Sequence, residues 1–404
     1  MSPSPSSPGE LAGSGRAEGG TAGSAARFAV VGNPGSRRVE LFSAAVAGAG
    51  LPAPRVLPWA GVLAGGVRFA PGETVRIDSP GEDPAVERLL RGVGDPARVE
   101  GTARWYARFT GAVRRVAGAA RSAGAALLDC PRDIAVLFDK RLCHGVLREA
   151  GVPVPPSPTS GPGAAPVTGW EDVRAAVRGA GMRRFFVKLA HASSASGVLA
   201  VESGGRGRWR AVTSVERAPD GTLFNSLRVR RYDGEAEIAA VVDALAPDGL
   251  HIERWLPKAS QGGRTADLRV VVVAGKATHA LVRTSRSPMT NLHLGGARGD
   301  LEAARAAAEA AGVPWTEMLG ICERAAARFP GTLCVGVDLL PATGWRRFAV
   351  GEVNAFGDLL PRLTGLPGGP AEGRDTYAAQ VRAVLRGAVP DGSARHGEAR
   401  RAAA

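Results

Sequence analysis

Residues 336–354, GVDLLPATGWRRFAVGEVN, restrict the fold of this chain more than any other stretch. Two loosely alternating apolar runs, Val335, Val337, Leu339 and then Phe348, Val350, Val353, flank Ala-Thr-Gly-Trp, the pattern of two strands joined by a turn. Asp338 falls on the first strand. Glu352 and Asn354, two apart, share one face of the second. An acid and an amide therefore stand side by side, with a second acid available from the neighbouring strand. Such an oxygen set suits Mg²⁺, which keeps several waters and shares its site with phosphate oxygens. One Glu-x-Asn taken alone is better read as a solvated strand end, so the rest of the chain decides.

At 404 residues and 45% apolar content, the chain can form two or three compact units around sizeable cores. No stretch reaches the ~18 uninterrupted apolar residues of a membrane span, and no secretory leader is evident. A cytoplasmic protein without membrane contact is expected. Cys130, Cys143, Cys322 and Cys334 show no paired metal spacing and read as reduced thiols. The net charge of +13 would fit a polyanion partner, but the arginines are spread without a basic run or aromatic platform, so nucleic acid is not expected. Only four of the 51 basic residues are lysines: Lys140, Lys188, Lys258 and Lys276. Lysine is a slim point charge where arginine is a broad fork. In so arginine-rich a chain, each lysine marks a place where a guanidinium does not fit.

Composition divides the chain into a loose tail (1–26), a β/α unit (27–130), a segment of helices and strands (131–250), a strand-rich segment (251–390) and a second loose tail (391–404). The first unit opens with Phe28-Ala-Val-Val-Gly. Its Gly32–Ser36 turn resembles a phosphate cradle but matches no full dinucleotide or Walker pattern, and a tight structural turn is the better reading. Asp139 is a good N-cap for a helix whose apolar face reads as Leu142, Val146, Leu147 and Ala150. Lys140 opens that helix against its dipole, which a nearby phosphate or base would explain. The strand Arg184–Leu189 carries Lys188 and runs into His191-Ala-Ser-Ser-Ala-Ser-Gly. That small-residue loop can offer N–H groups and hydroxyls to an anion; a mobile surface loop with a solvated lysine is the equally weighted alternative. His251-Ile-Glu-Arg-Trp-Leu is a further strand. Asp267 to Arg283 form a hairpin around Ala274–Lys276, and Asn291-Leu-His-Leu-Gly-Gly follows in a loop. His144, His191 and His279 lack metal partners at suitable spacing and read as ordinary polar positions.

The order of these pieces resembles the ATP-grasp superfamily, and within it the ribosomal-protein glutamate ligase (RimK-like) branch. The resemblance covers about residues 130–365 and rests chiefly on Asn291-Leu-His-Leu-Gly-Gly and on Gly336-Val-Asp-Leu-Leu with Gly351-Glu-Val-Asn-Ala. It implies a β/α N-terminal (pre-ATP-grasp) domain followed by a two-lobe ATP-grasp fold, α/β and α+β in class. It also implies ATP and two Mg²⁺ ions, with Mn²⁺ as a replacement. Lys140 and Lys188 would hold phosphates under a loop containing Ser193, Ser194, Ser196 and Gly197. Glu253 would accept from the adenine amino group, with backbone of Arg254, Trp255 and Leu256 reading the ring edge. Lys258 falls near the ribose position, without the usual acid. Arg269 and Arg283 would neutralise the transferring phosphoryl group, Asn291 would touch phosphate or metal, and Asp338, Glu352 and Asn354 would hold the ions. His293 belongs to the same motif.

The implied reaction is amide or peptide bond formation between a small-molecule carboxylate and an amine, through an acyl phosphate. A phosphotransferase acting on a hydroxyl and a nucleotide-binding protein without turnover are the alternatives. One departure from the family pattern has a structural consequence. The loop after Lys188 is poorer in glycine, so positive-φ positions before Gly197 would fall on Ser or Ala.

Overall fold

A computed structural model describes Met1 and residues 26–161, 163–193, 195–205, 207–357 and 360–390. The two expected tails lie outside these residues except for Met1 and Ala26, as does Ser194. Three sheets carry the fold. The first is parallel, in the order β2-β1-β3-β4, from β1 (Arg27–Gly32), β2 (Arg55–Pro58), β3 (Glu73–Ile77) and β4 (Ala126–Leu127). Helices α1 (Arg37–Gly48), α2 (Trp59–Leu63), α3 (Pro84–Arg91) and α4 (Thr102–Ala123) surround it. The Gly32–Ser36 turn is a structural one: the Asn33 amide donates to Pro80 O at 2.8 Å and Gly81 O at 3.1 Å, and Ser36 caps α1.

After α5 (Pro131–Leu137) and α6 (Lys140–Glu149) comes the second sheet, which is antiparallel. It comprises β5 (Arg184–Leu189), β6 (Leu199–Ser203), β7 (Trp209–Arg217), β8 (Leu223–Tyr232) and β9 (Leu250–Arg254), in the order β8-β7-β6-β5-β9. Helices α7 (Trp170–Gly179) and α8 (Glu235–Leu245) cover one face, burying Val173, Val177, Ile238 and Val242. The third sheet is also antiparallel. It runs β13 (Ala297–Arg298), β12 (Lys276–Ser285), β11 (Arg264–Val273), β14 (Cys334–Pro341), β15 (Phe348–Ala355), with β10 (Ser260–Gln261) against β11. Helices α9 (Leu301–Ala310) and α10 (Trp315–Ala326) back it, and α11 (Thr376–Leu385) packs on α1.

Helix α6 starts as its sequence dictates, with the Asp139 carboxylate accepting from Arg141 N and Leu142 N. Its buried face is not the expected one. Cys143, His144 and Leu147 point inward, whereas Leu142 is 49% exposed and Ala150 is exposed. The Lys140 N–H bonds Ala190 O at 3.0 Å, which fixes the start of the helix on the end of β5 and sets its rotation.

Two edge strands, β9 and β15, meet through the proline-rich segment before α7. Arg254 N donates to Pro156 O at 2.8 Å and Val350 N to Pro153 O at 2.7 Å. One strap thus closes an edge of each antiparallel sheet. The first unit is anchored to both others. Asp248 caps α4 by accepting from Gly101 N (2.6 Å) and Ala103 N (2.9 Å), and Leu333 N bonds Leu128 O at 2.8 Å. Among the described residues no helix is long and apolar enough to cross a membrane.

Candidate active site

The expected hairpin is β14–β15. Asp338 and Glu352 are direct partners across it, and Asn354 lies opposite Gly336. The register then slips by one residue, since Leu339 pairs with Val350, so Gly351 is the extra residue of a β-bulge. A bulge turns successive side chains to one side. Gly351 and Glu352 accordingly both line a cleft of about 1000 Å³ into which Asp338 and Asn354 also face. A Cβ on Gly351 would sit 2.9 Å from the Leu340 side chain, so the bulge keeps this wall open.

The neighbouring strands extend the row. Arg269 is the partner of Asp338 and Asp267 that of Arg283. Arg269 Nε donates to Asp338 Oδ1 at 2.5 Å, and Arg283 reaches Asp338 at 3.0 Å and Asp267 at 2.8 Å. Lys258 donates to Asp267 at 3.1 Å and to Thr290 Oγ1 at 3.1 Å. Burial would raise the Asp267 carboxyl, but Lys258 and Arg283 hold it well below the usual range.

From the opposite sheet, Lys188 Nζ lies 2.5 Å from Glu253 Oε1, and from α6 Lys140 Nζ lies 2.9 Å from Glu352 Oε1 and 2.5 Å from Ala192 O. Burial works against charge on Glu253, yet Lys188 and His251 bring it down to about 2. Glu352 is likewise lowered against burial, by Lys140 and Lys188. Five cations and four carboxylates therefore face each other across one cleft, each with an opposite charge at hydrogen-bonding distance.

Ser193 and Ser196 line the cleft, and Ser196 N bonds Ser193 O at 3.0 Å. The expected strained position exists: Ala195 has φ +56, and its carbonyl accepts from Ser214 Oγ at 2.7 Å. Gly197 has φ +66 and packs on Leu189 rather than facing the cleft. Asn291 lines the cleft, and its carbonyl accepts from Gly296 N at 3.3 Å. A Cβ at Gly296 would meet Thr290 O and Asn291 O at 2.7 Å, which explains the second glycine of that motif. Met289 and Leu294 from the same loop pack on Val198 of the other sheet. The His293 side chain lies outside the described part of the structure. Leu256 lines the cleft, but the Trp255 ring turns away, against Phe186 and under Arg184. The Arg254 and Trp255 N–H groups are spent on Pro156 O and Arg184 O.

His144, His191 and His279 behave as polar packing residues. His144 bonds Ser160 and Pro155 O, His191 stacks on Tyr106, and His279 bonds Arg374 O. Among the described residues no three His, Cys, Asp or Glu side chains gather around a metal-sized gap. The oxygen set on β14 and β15 has two carboxylates and an amide. Sequence reading missed the contacts behind Glu253, where His251 and Thr159 stand. Thr159 comes from a stretch whose only sequence signal was loop composition.

No family model matches the chain, and no curated protein matches it. Solved structures do. That of the D-cycloserine synthetase DcsG aligns with a TM-score of 0.53 at 16% identity, covering 89% of this chain and 99% of that one. That of the ATP-grasp ligase PsnB complexed with minimal precursor aligns with a TM-score of 0.51 at 18% identity, over 89% of this chain and 99% of that one. A RimK domain ATP-grasp protein from Sphaerobacter thermophilus reaches a TM-score of only 0.44 at 15% identity, over 83% of this chain and 92% of that one, and does not single out a branch. The chain has the ATP-grasp fold.

Proposed function

We propose that the protein is an ATP-dependent carboxylate–amine ligase of the RimK-like kind, forming an amide or peptide bond through an acyl phosphate, with domains at 27–130, 131–250 and 251–390. The carrying observation is the meeting in one cleft of Asp338, Glu352 and Asn354 with Lys188, Arg269 and Arg283 from the two antiparallel sheets, Lys140 from α6 and Lys258 from the segment before β10. In this reading Glu253 accepts from the adenine amino group. The ring edge is left to the Leu256 N–H, which has no acceptor among the described residues. Lys140 and Lys188 hold the phosphates beneath Ser193 and Ser196. Arg269 and Arg283 face the transferring group, with Asn291 beside it.

The Asp338–Glu352–Asn354 set fits Mg²⁺. Its donors are all oxygens, adjacent in register, and the cations now beside them are ones that phosphates can take over. Two Mg²⁺ ions, with Mn²⁺ as a replacement, would be held by these three residues and would supply charge neutralisation and in-line alignment of the phosphoryl oxygens. The chain's own residues do the rest. Lys140 leaves Glu352 for the phosphates, and Arg269 and Arg283 turn from Asp338 to the transferring group. A substrate carboxylate oxygen attacks the γ-phosphorus and ADP leaves. The amine nitrogen then attacks the acyl carbon, the bond to phosphate breaks, and the amine gives up a proton. The loop over Lys140 keeps water from the acyl phosphate meanwhile.

Purified protein with Mg²⁺ATP, a pool of carboxylic acids and hydroxylamine tests this. A hydroxamate, with ADP and phosphate released, is expected. A phosphorylated alcohol in its place would make the protein a kinase, and bound ATP without product would make it a binding protein.

A further inference from the structure

Behind Glu253 lies a buried polar chain that the ligase chemistry above does not use. His251 precedes Glu253 by two on β9, so both side chains project from one face, and His251 stands opposite Lys188 in the register. His251 is 1% exposed. Its Nε2 lies 3.4 Å from Glu253 Oε2, while Lys188 Nζ holds the other oxygen, Oε1, at 2.5 Å. The far ring nitrogen, Nδ1, is 3.2 Å from Thr159 Oγ1. Thr159 is buried in turn, and its hydroxyl oxygen accepts the Ile252 N–H at 2.8 Å.

Proton positions follow from the chemistry of the groups. An ionised carboxylate only accepts, so the proton on Nε2 points at Glu253. Burial lowers the His251 pKa against the pull of Glu253, which keeps the ring neutral and leaves Nδ1 an acceptor. Thr159 Oγ accepts the Ile252 N–H, and its own proton faces Nδ1 at 3.2 Å, nearer than the alternative acceptor, Ile252 O, at 3.4 Å. The chain of donors runs one way, from Ile252 through Thr159 and His251 to Glu253. Glu253 thus has Lys188 2.5 Å from one oxygen and the His251 ring 3.4 Å from the other, and stands at the cleft wall as an acceptor only.

We infer that His251, held by Thr159, is a positioning residue that sets nucleotide specificity: by fixing Glu253 it makes the cleft take an amino-purine and refuse a keto-purine. The inference rests on the reading that Glu253 meets the base. An exocyclic amino group donates to the fixed carboxylate, whereas a keto oxygen would face it acceptor to acceptor, with both groups desolvated and unmatched. A carboxylate free to swing would lose that discrimination, since it could leave the keto group to water.

The test is equilibrium binding of ATP and of inosine triphosphate (ITP), each with Mg²⁺, to the full chain by calorimetry. Wild type should prefer ATP by about tenfold or more. His251→Leu should bring the preference close to unity by weakening ATP while leaving ITP unchanged. His251→Gln, whose amide N–H can stand in for Nε2–H, should keep most of the preference, and Thr159→Val should lose part of it. If His251→Leu does not fold, Thr159→Val, which keeps the volume, carries the same test. Equal weakening of ATP and ITP in His251→Leu and Thr159→Val, an unchanged preference in both, or a Gln variant no better than Leu would each overturn the inference. Wild type binding ATP and ITP alike would overturn it too, while leaving the nucleotide site intact. Wild type binding neither would instead overturn the nucleotide-site reading on which it rests.

Discussion

Arg76 is buried and Lys188 partly buried, each beside an acid, yet their surroundings differ in kind. Arg76, on β3, lies over the rings of Phe42 (4.8 Å) and Tyr377 (5.4 Å), bonds Gln380, and reaches Asp78 at 3.4 Å. Protein covers it on each side, so it fastens the first unit to α11. Lys188 has its acid partner, Glu253, at 2.5 Å and opens onto the cleft. Their neighbouring acids diverge as well. Burial pushes Asp129, near Arg76, up to about 7, whereas Glu253 is brought down to about 2 against burial. Burial of a charge marks both places. Only an open side and a partner that can be exchanged mark the cleft.

Removing a cleft acid should separate the two clusters most strongly. Glu352→Gln should lower hydroxamate formation about 10³-fold or more while leaving the melting temperature near wild type. Lys188→Ala should cost about 10²–10³-fold in turnover. Wild-type rates in either would erase the distinction between the two clusters.

At the seam the effects should be on stability. Arg76→Met removes one partner of a buried charge pair and should cost roughly 3–5 kcal/mol in denaturant unfolding, with turnover near wild type at temperatures where the protein stays folded. The pH dependence should differ in sign. The folded pKa of Asp129 is raised, so its contribution to stability is complete below about pH 4 and is lost as pH rises through about 7. The folded pKa of Glu253 is lowered, so its contribution is complete above its ordinary pKa and is lost as pH falls toward 2. Asp129→Asn should therefore be more stable than wild type at pH 8 by roughly 2–4 kcal/mol, with a flatter profile between about pH 4 and 7. Thermal melts at several pH values check this, and an unchanged slope would contradict it.

The smallest effect belongs to the loop. Ala195 at φ +56 stores about 1 kcal/mol of backbone strain. Ala195→Gly should shift the KM for ATP by no more than a few fold, and Ala195→Val should raise it further because a branched Cβ tolerates positive φ worst. Identical KM values in all three proteins would show that the loop conformation is not coupled to nucleotide.

Much of the cleft was legible because strand periodicity and motif spacing are local. The β14–β15 turn placed Asp338 beside Glu352, and the lysines stood out against an arginine-rich background. The positive φ on a non-glycine of the loop followed from glycine scarcity alone. Other features are set by tertiary contacts that no window of sequence contains. The bulge at Gly351 depends on how β15 meets β14. The rotation of α6 depends on Ala190 and the end of β5. Thr159 meets His251 across 92 residues, and Asp248 caps α4 across 147, so neither partnership leaves a local trace. The Trp255 ring follows Phe186 and Arg184 rather than the backbone segment that the family pattern singles out.

In the proposed reaction, carboxylates on β14 and β15 give up their cationic partners to take metal, while those cations take phosphate. Titration of ATP into wild type and Glu352→Gln, with and without Mg²⁺, measures this most directly. Wild type should bind ATP at least about tenfold more tightly with Mg²⁺ than without, and the variant should show little dependence on the metal. Equal affinity with and without Mg²⁺ in wild type, or an undiminished metal effect in Glu352→Gln, would rule out this exchange of partners.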